Sequence, residues 1–327
     1  MQSVYVSLLS FMLIFLVSSC SASDNRNNNV QKALSPDDRI SSEEIISLIK
    51  KGNDIVFSEL TIIGVLDFTL CDEPVQESPN RFRINVDQSL IFNKCIFENN
   101  VLAAKNGENG EQYATRFNQN VTFRNCEFLK DVAFKESVIN GLCDFSGSGF
   151  YGKVNFQGTF FNYPTTNFSK TTYKGSVQFQ RTFFLGNVSF LNAIFDENVS
   201  FQSADIRGMA QFGAIKCNAY TDFGSIRCDG GWFMNYAVFS DRLVFNNARL
   251  YDRIEFIESQ YLGSAKIMNT QFNGRLSLDN IKLSGTLDVS NSTFLMGKPD
   301  FSSIKIEDNA ELIAKDLKII DIKIYNE

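Results

Sequence analysis

A large apolar side chain, usually phenylalanine, returns every eleven residues through most of this chain, and that spacing admits few folds. Stepping from Phe123 gives Phe134, Phe145 and Phe156. After one extra residue come Phe168, Phe179, Phe190, Phe201, Phe212, Phe223, Met234, Phe245, Phe256, Ile267, Leu278 and Val289, and after a second extra residue Phe301 and Leu312. A second series lies five residues after the first: Phe128, Ile139, Phe150, Phe161, Tyr173, Phe184, Phe195, Ile206, Cys217, Cys228, Phe239, Leu250, Tyr261, Phe272, Leu283, Phe294, Ile306 and Leu317. Only 44% of the chain is apolar, yet every position in both series is apolar or aromatic, so the period is a true repeat.

Two residues before the first series stand Val121, Val132, Val154, Val177, Val188 and Val199. Two residues before the second series the side chain is small, as at Cys126, Ser148, Thr182 and Ala204. Residues i and i+2 leave an extended chain on the same side, so each unit is a very short strand with two inward side chains and then a corner. Asn and Gly recur at corners, as at Gly186-Asn187, Gly208 and Gly274, where left-handed backbone angles are tolerated. One unit cannot cover its own apolar face. Stacking the units covers it, by placing equivalent side chains about 4.8 Å apart along one axis. Eleven residues cannot enclose two large side chains and their partners, whereas twenty-two residues in four faces can. The eighteen units of each series then make about nine coils. The expected fold is an all-β, right-handed parallel β-helix of four faces. Its interior ladder is Phe123, Phe134, Phe145, Phe156, Phe168, Phe179, Phe190, Phe201, Phe212, Phe223, Phe245 and Phe256.

Ala204-Asp205-Ile206-Arg207-Gly208 resembles the alanine–aspartate/asparagine–leucine pentad of the pentapeptide-repeat superfamily, and Ala193-Ile194-Phe195-Asp196-Glu197 and Ala248-Arg249-Leu250-Tyr251-Asp252 are similar. The resemblance extends over roughly 57–325 and implies a right-handed quadrilateral β-helix. The chain departs from the family in alternating units of five and six residues, and in placing Phe rather than Leu at the centre. Some members of that family mimic DNA and bind topoisomerases. The formal charge of −6 is compatible with such mimicry, but an export signal would put this chain in another compartment, and no nucleic-acid partner is expected.

The export signal is read from residues 1–19, which carry no charged side chain and are nearly all apolar from Val4 to Val17. Val17-Ser18-Ser19-Cys20 resembles the lipobox of bacterial lipoproteins, which implies cleavage before Cys20 and a diacylglycerol on its thiol. No Lys or Arg precedes the apolar run, a departure from the usual pattern. Residues 20–40 read as a flexible, Asn-rich tether. Residues 41–54 read as a capping helix, opened by the capping-box spacing Ser41-Ser42-Glu43-Glu44, and 55–327 as the solenoid. Ile320, Ile322 and Ile324 alternate with polar residues as a closing strand. The expected address is the cell envelope, on the outer membrane and facing the periplasm or the surface.

Two excursions, near 69–89 and 98–119, break the period, and loops on a rigid scaffold are where binding tends to reside. The first holds Cys71, which could bridge to Cys95 in an exported chain. Cys217 and Cys228 fall in core slots.

The chain has no histidine, which removes the usual base near neutral pH and the commonest transition-metal ligand. No phosphate loop, nucleophile elbow or Cys-x-x-Cys occurs, so no catalytic residue, metal or cofactor is expected. The carboxylate pairs Asp72-Glu73, Asp196-Glu197 and Glu307-Asp308 read as solvated corners. The function expected is a non-enzymatic, envelope-anchored scaffold that binds a protein or glycan through a flat face or the early loops. The alternative is an enzyme acting on an envelope or extracellular polysaccharide, since β-helical lyases set acidic residues and a basic catalyst on an exposed sheet. Their coils are less regular and their cores less uniformly Phe.

Overall fold

A computed structural model describes residues 30–33 and 38–320. The strands stack into four sheets of 11, 11, 13 and 12 strands, and nearly all the pairing is parallel. One coil of the body passes through Val121–Arg124 on face 1, Glu127–Phe128 on face 2, Val132–Ala133 on face 3 and Val138–Ile139 on face 4. The next coil repeats the circuit twenty-two residues on, with Val121 opposite Cys143 and Val132 opposite Val154. The four-faced parallel β-helix and its twenty-two-residue coil therefore hold. The sheets also extend to earlier coils, so the solenoid is longer than the nine coils counted from the series.

The two apolar series alternate between faces. First-series residues build columns inside faces 1 and 3, and second-series residues build columns inside faces 2 and 4. On face 3 the rings of Phe179, Phe201 and Phe223 stack at 5.0 and 4.9 Å with planes 1° and 7° apart. On face 1, Phe168, Phe190 and Phe212 stack at 5.0 and 5.1 Å. The two columns meet edge to face, as Phe190 does with Phe179 and Phe201 at 5.2 and 5.1 Å. Both arrangements are favoured by the ring quadrupole. Where Met234 interrupts the face 1 column, Trp232 supplies the ring, 4.8 Å from Phe212.

The small inward slots carry chemistry as well as size. Ser148, Thr159, Ser259 and Thr270 donate their hydroxyls to the carbonyls of Phe123, Phe134, Met234 and Phe245, each twenty-five residues earlier, at 2.6–2.7 Å. Buried polar atoms need such partners, which explains why Ser and Thr are tolerated within an aromatic core.

The corners are of two kinds. Two residues after a first-series residue the backbone is left-handed, at φ 51° for Asn125, 56° for Arg181, 58° for Ser203 and 60° for Asn247, most often without glycine. Two residues after a second-series residue glycine is frequent, yet Gly186, Gly208 and Gly274 have no positive φ. The expectation that these glycines supply left-handed angles is corrected. They are required by close stacking, since a Cβ at Gly263 would lie 2.5 Å from the carbonyl oxygen of Asp241 in the preceding coil.

At the N-terminal end, helix α1 (Ser42–Lys50) covers the first coil with Ile45, Ile46 and Ile49 buried. The Ser41 hydroxyl accepts the Glu44 N–H at 3.1 Å. Part of the expected tether is ordered: Val30–Ala33 pairs with Ile55–Ser58, and Arg39–Ser41 with Thr61–Ile63. Backbone pairing onto a waiting sheet edge orders a segment whose composition alone would leave it loose.

At the other end the registration of the last coil differs from the sequence reading. Leu312 stands opposite Leu287, and Ile319 stands opposite Phe294. Leu312 and Leu317 therefore do not continue the two series. Further residues inserted around Asn309, whose φ is 71°, shift both strands by two. Ile320 is exposed, and Ile322 and Ile324 lie outside the described residues, as do Cys20 and the whole of 1–19.

Candidate functional site

Both excursions fold into β-hairpins rather than open loops. Val75–Ser78 runs antiparallel to Arg81–Val86, turning at Pro79-Asn80, where Asn80 has φ 63°. Ala104–Asn106 runs antiparallel to Gln112–Phe117. The two long strands, Arg81–Val86 and Gln112–Phe117, then pair in parallel over six residues. Body strands are mostly two or three residues long. The six-residue strands therefore carry face 4 outward past its corner with face 3 as a four-stranded wing. Val86 and Phe117 at their ends remain in the core, which ties the wing to the solenoid.

Charge pairing fixes the wing internally. Glu77 accepts two hydrogen bonds from Arg83, at 3.2 and 3.0 Å, and one from Arg116 at 2.8 Å. Arg83 is only 7% exposed, and it also donates to the Glu136 carbonyl at 2.7 Å. Arg81 pairs with the Glu136 carboxylate. The Arg83 hydrogen bonds hold the Glu77 carboxyl below its ordinary range, against the opposing effect of burial. On the other hairpin Lys105 pairs with the nearly buried Asp67 at 2.9 Å. The rings of Phe82 and Tyr113 stack at 5.1 Å across the parallel pair. At the tip, Glu111 accepts the Asn109 N–H at 2.9 Å, and that backbone hydrogen bond lowers its carboxyl pKa.

Between the second hairpin and face 3 lies an open cleft of about 160 Å³. The hairpin contributes Lys105, Asn106, Gln112 and Tyr113, and the body contributes Ala133, Lys135, Glu136 and Asn155. These groups are donors, acceptors and one aromatic ring. They suit recognition of a polar, hydroxylated or partly charged partner.

The residues expected from sequence to matter are distributed differently. The twelve ladder phenylalanines from Phe123 to Phe256 are all buried, at 1% exposure or less. Cys71 and Cys95 are not bridged: both are free thiols, and Cys95 instead lies against the free thiol of Cys126 in the next coil. The coil spacing places equivalent inward slots together, and Cys71 is not in the slot facing Cys95. Burial and the nearby Asp67 push the Cys71 thiol up to about 12. Cys217 and Cys228 fill core slots, and burial pushes each to about 12. Asp196 pairs with Lys174 at 2.6 Å and Asn218 at 2.8 Å. No grouping of three or more His, Cys, Asp or Glu side chains suited to a metal occurs among the described residues.

Sequence reading located the excursions but not the Arg83–Glu77–Arg116 network. A signal was present: Arg81-Phe82-Arg83-Ile84 and Gln112-Tyr113-Ala114-Thr115-Arg116-Phe117 alternate like half-exposed strands, beside Pro-Asn and Asn-Gly turns.

A family model described as Pentapeptide repeats (9 copies) matches residues 113–159 and 161–205. No curated protein matches the chain.

Proposed function

We propose that this pentapeptide-repeat β-solenoid is a non-enzymatic interaction scaffold, held at the cell envelope through lipidated Cys20, which docks its partner on the wing and the adjoining cleft. The observation that carries the reading is the wing itself. It is the place in the described chain where long strands, a stacked aromatic pair and an Arg–Glu–Arg network centred on buried Arg83 replace the two-residue repeat geometry. Solenoids present extended surfaces that need little rearrangement on binding, and a cross-braced wing adds relief to an otherwise flat face. The carboxylates of Glu77, Glu136 and Asp67 around it are engaged with arginines or lysines, which suits positioning more than acid–base chemistry.

Two measurements test the reading. Globomycin-sensitive processing together with membrane fractionation, lost in Cys20→Ser, is expected for an anchored lipoprotein. Processing unaffected by globomycin would remove the anchor. Cross-linked pull-downs from envelope extracts should lose their specific partners when Gln112→Ala and Lys135→Glu are combined, with the melting temperature unchanged. An unchanged partner list would remove the wing as the docking site.

A further inference from the structure

We infer that face 3 is a binding track for an extended polysaccharide chain lying along the solenoid axis and entering the cleft beneath the second hairpin. The inference rests on the reading of the molecule as a binding scaffold and specifies what one of its faces recognises.

The argument begins with what points outward. In three successive coils face 3 presents Asn155 and Gln157, then Gln178 and Gln180, then Ser200 and Gln202. None of these six is charged, with Lys153 and Arg181 standing at the flanking corners. Face 1 shares this neutrality, with Asn167, Ser189 and Gln211 outward, whereas faces 2 and 4 of the same region differ. Face 4 carries Arg207, Arg227, Asp205 and Asp229 in a ladder of ion pairs at 2.7–2.9 Å, and face 2 carries the Lys174–Asp196 pair. Over these three coils face 3 is thus a neutral, amide-rich surface, and it is the one that runs into the cleft beneath the second hairpin.

The amides are preorganised on one side and unengaged on the other. The Asn155 side-chain oxygen accepts the Gln157 N–H at 2.9 Å, and the Ser200 hydroxyl accepts the Gln202 N–H at 3.3 Å, which fixes both side chains against the strand. Gln178 and Gln202 project into solvent. The Gln180 amide oxygen is enclosed and has no hydrogen-bond partner.

An amide offers donors and an acceptor side by side. That pattern matches the paired hydroxyls of a pyranose, which donate and accept together. It carries no net charge to draw a phosphate backbone or a charged protein patch electrostatically. Parallel in-register pairing repeats the amides about every 4.8 Å along the axis, so a polymer of sugar units meets equivalent groups repeatedly. Where the track reaches the wing, Tyr113 provides a ring for the apolar face of a sugar, and Lys135 borders the same cleft.

The test uses the full chain in affinity electrophoresis through gels containing a soluble β-1,4-glucan or a polyuronate, and co-sedimentation with isolated peptidoglycan sacculi. Retardation or pelleting by at least one polymer is expected. It should weaken about tenfold or more in Gln157→Ala/Gln178→Ala/Gln202→Ala, whose three side chains lie outside the buried core, and should be unchanged in the face 4 control Gln271→Ala. Circular dichroism melts are expected to coincide for all three proteins. Absence of binding to every polymer would overturn the inference, as would equal binding by the triple variant. Binding to the polyuronate alone, abolished by Lys135→Gln and insensitive to the glutamine changes, would also overturn it by reducing the site to a single cation. Protein partners retained in the pull-down by a triple variant that has lost polysaccharide binding would leave the wing reading intact.

Discussion

The body of the solenoid and the wing are built on opposite economies of structure. From Val121 to Phe272 each coil is tied to the next by short parallel pairs twenty-two residues apart, or twenty-three where the extra residue near Pro164 intervenes, and the stabilising groups are rings, inward hydroxyls and backbone. In the wing the same sheet is continued by six-residue strands, and charges separated by tens of residues hold them. The body is redundant, because each ring has near-equivalent neighbours above and below. The wing is not: Arg83 alone joins Glu77 to Glu136. Redundancy makes a strong rod, and specific unrepeated contacts make a place where the rod can be recognised.

Four changes would break or sharpen that contrast, taken from the largest effect down. Phe190→Asp sets an unpaired charge between Phe168 and Phe212, and should unfold the domain, costing several kcal/mol or more. Loss of the cooperative melt is the expected signature, and a native melt would refute the stacked interior. Arg83→Ala should cost about 2 kcal/mol locally, because the buried Arg83 stem and its hydrogen bonds to Glu77 and to the Glu136 carbonyl are lost, while Arg116 still pairs with Glu77. Hydrogen exchange is expected to quicken across 75–86 and 112–117 while protection in the body is preserved. Uniform loss throughout the chain would show the two regions to be one cooperative unit.

The third change is pH. The folded wing lowers the pKa of Glu77, so its contribution is present above the ordinary carboxylate value of 4.5 and is lost as pH falls below it through the folded value. Acid should therefore loosen the wing before the aromatic body, with exchange rates at 81–86 rising first. The smallest effect is expected at Gln202→Asp, an exposed side chain on face 3, which should change stability by less than about 0.5 kcal/mol. A shift as large as that of Phe190→Asp would mean that the inward and outward assignments are reversed.

Legibility followed periodicity. The four-faced coil and its buried columns were readable because each inward slot is sampled many times, so Met234 or Cys217 among phenylalanines did not obscure the pattern. Reading failed where a position occurs once. Leu312 and Leu317 looked like ladder members at the expected interval, yet a few residues near Asn309 moved the register and put Ile319 opposite Phe294 instead. Glycines at Gly208 and Gly274 were visible, but their reason was not. Their close packing involves a neighbour one coil away, whereas the true left-handed corners carry residues such as Arg181 and Ser203. The Cys71–Cys95 pairing failed for the same cause, since spatial neighbours are set by the coil and not by nearness in the chain.

What the amino-acid order determined by itself is the repeating element: which side chains turn inward, how many residues make a face, and that the units must stack to cover their rings. Those follow from local extended geometry and from the avoidance of water by apolar surface, and both act at every coil. What only the tertiary structure decided is where unlike segments meet. The junction of Glu77, Arg83, Arg116 and Glu136 and the cleft between hairpin and face 3 depend on two excursions landing side by side in register. No local preference encodes that meeting; the pairing of one long strand upon another creates it.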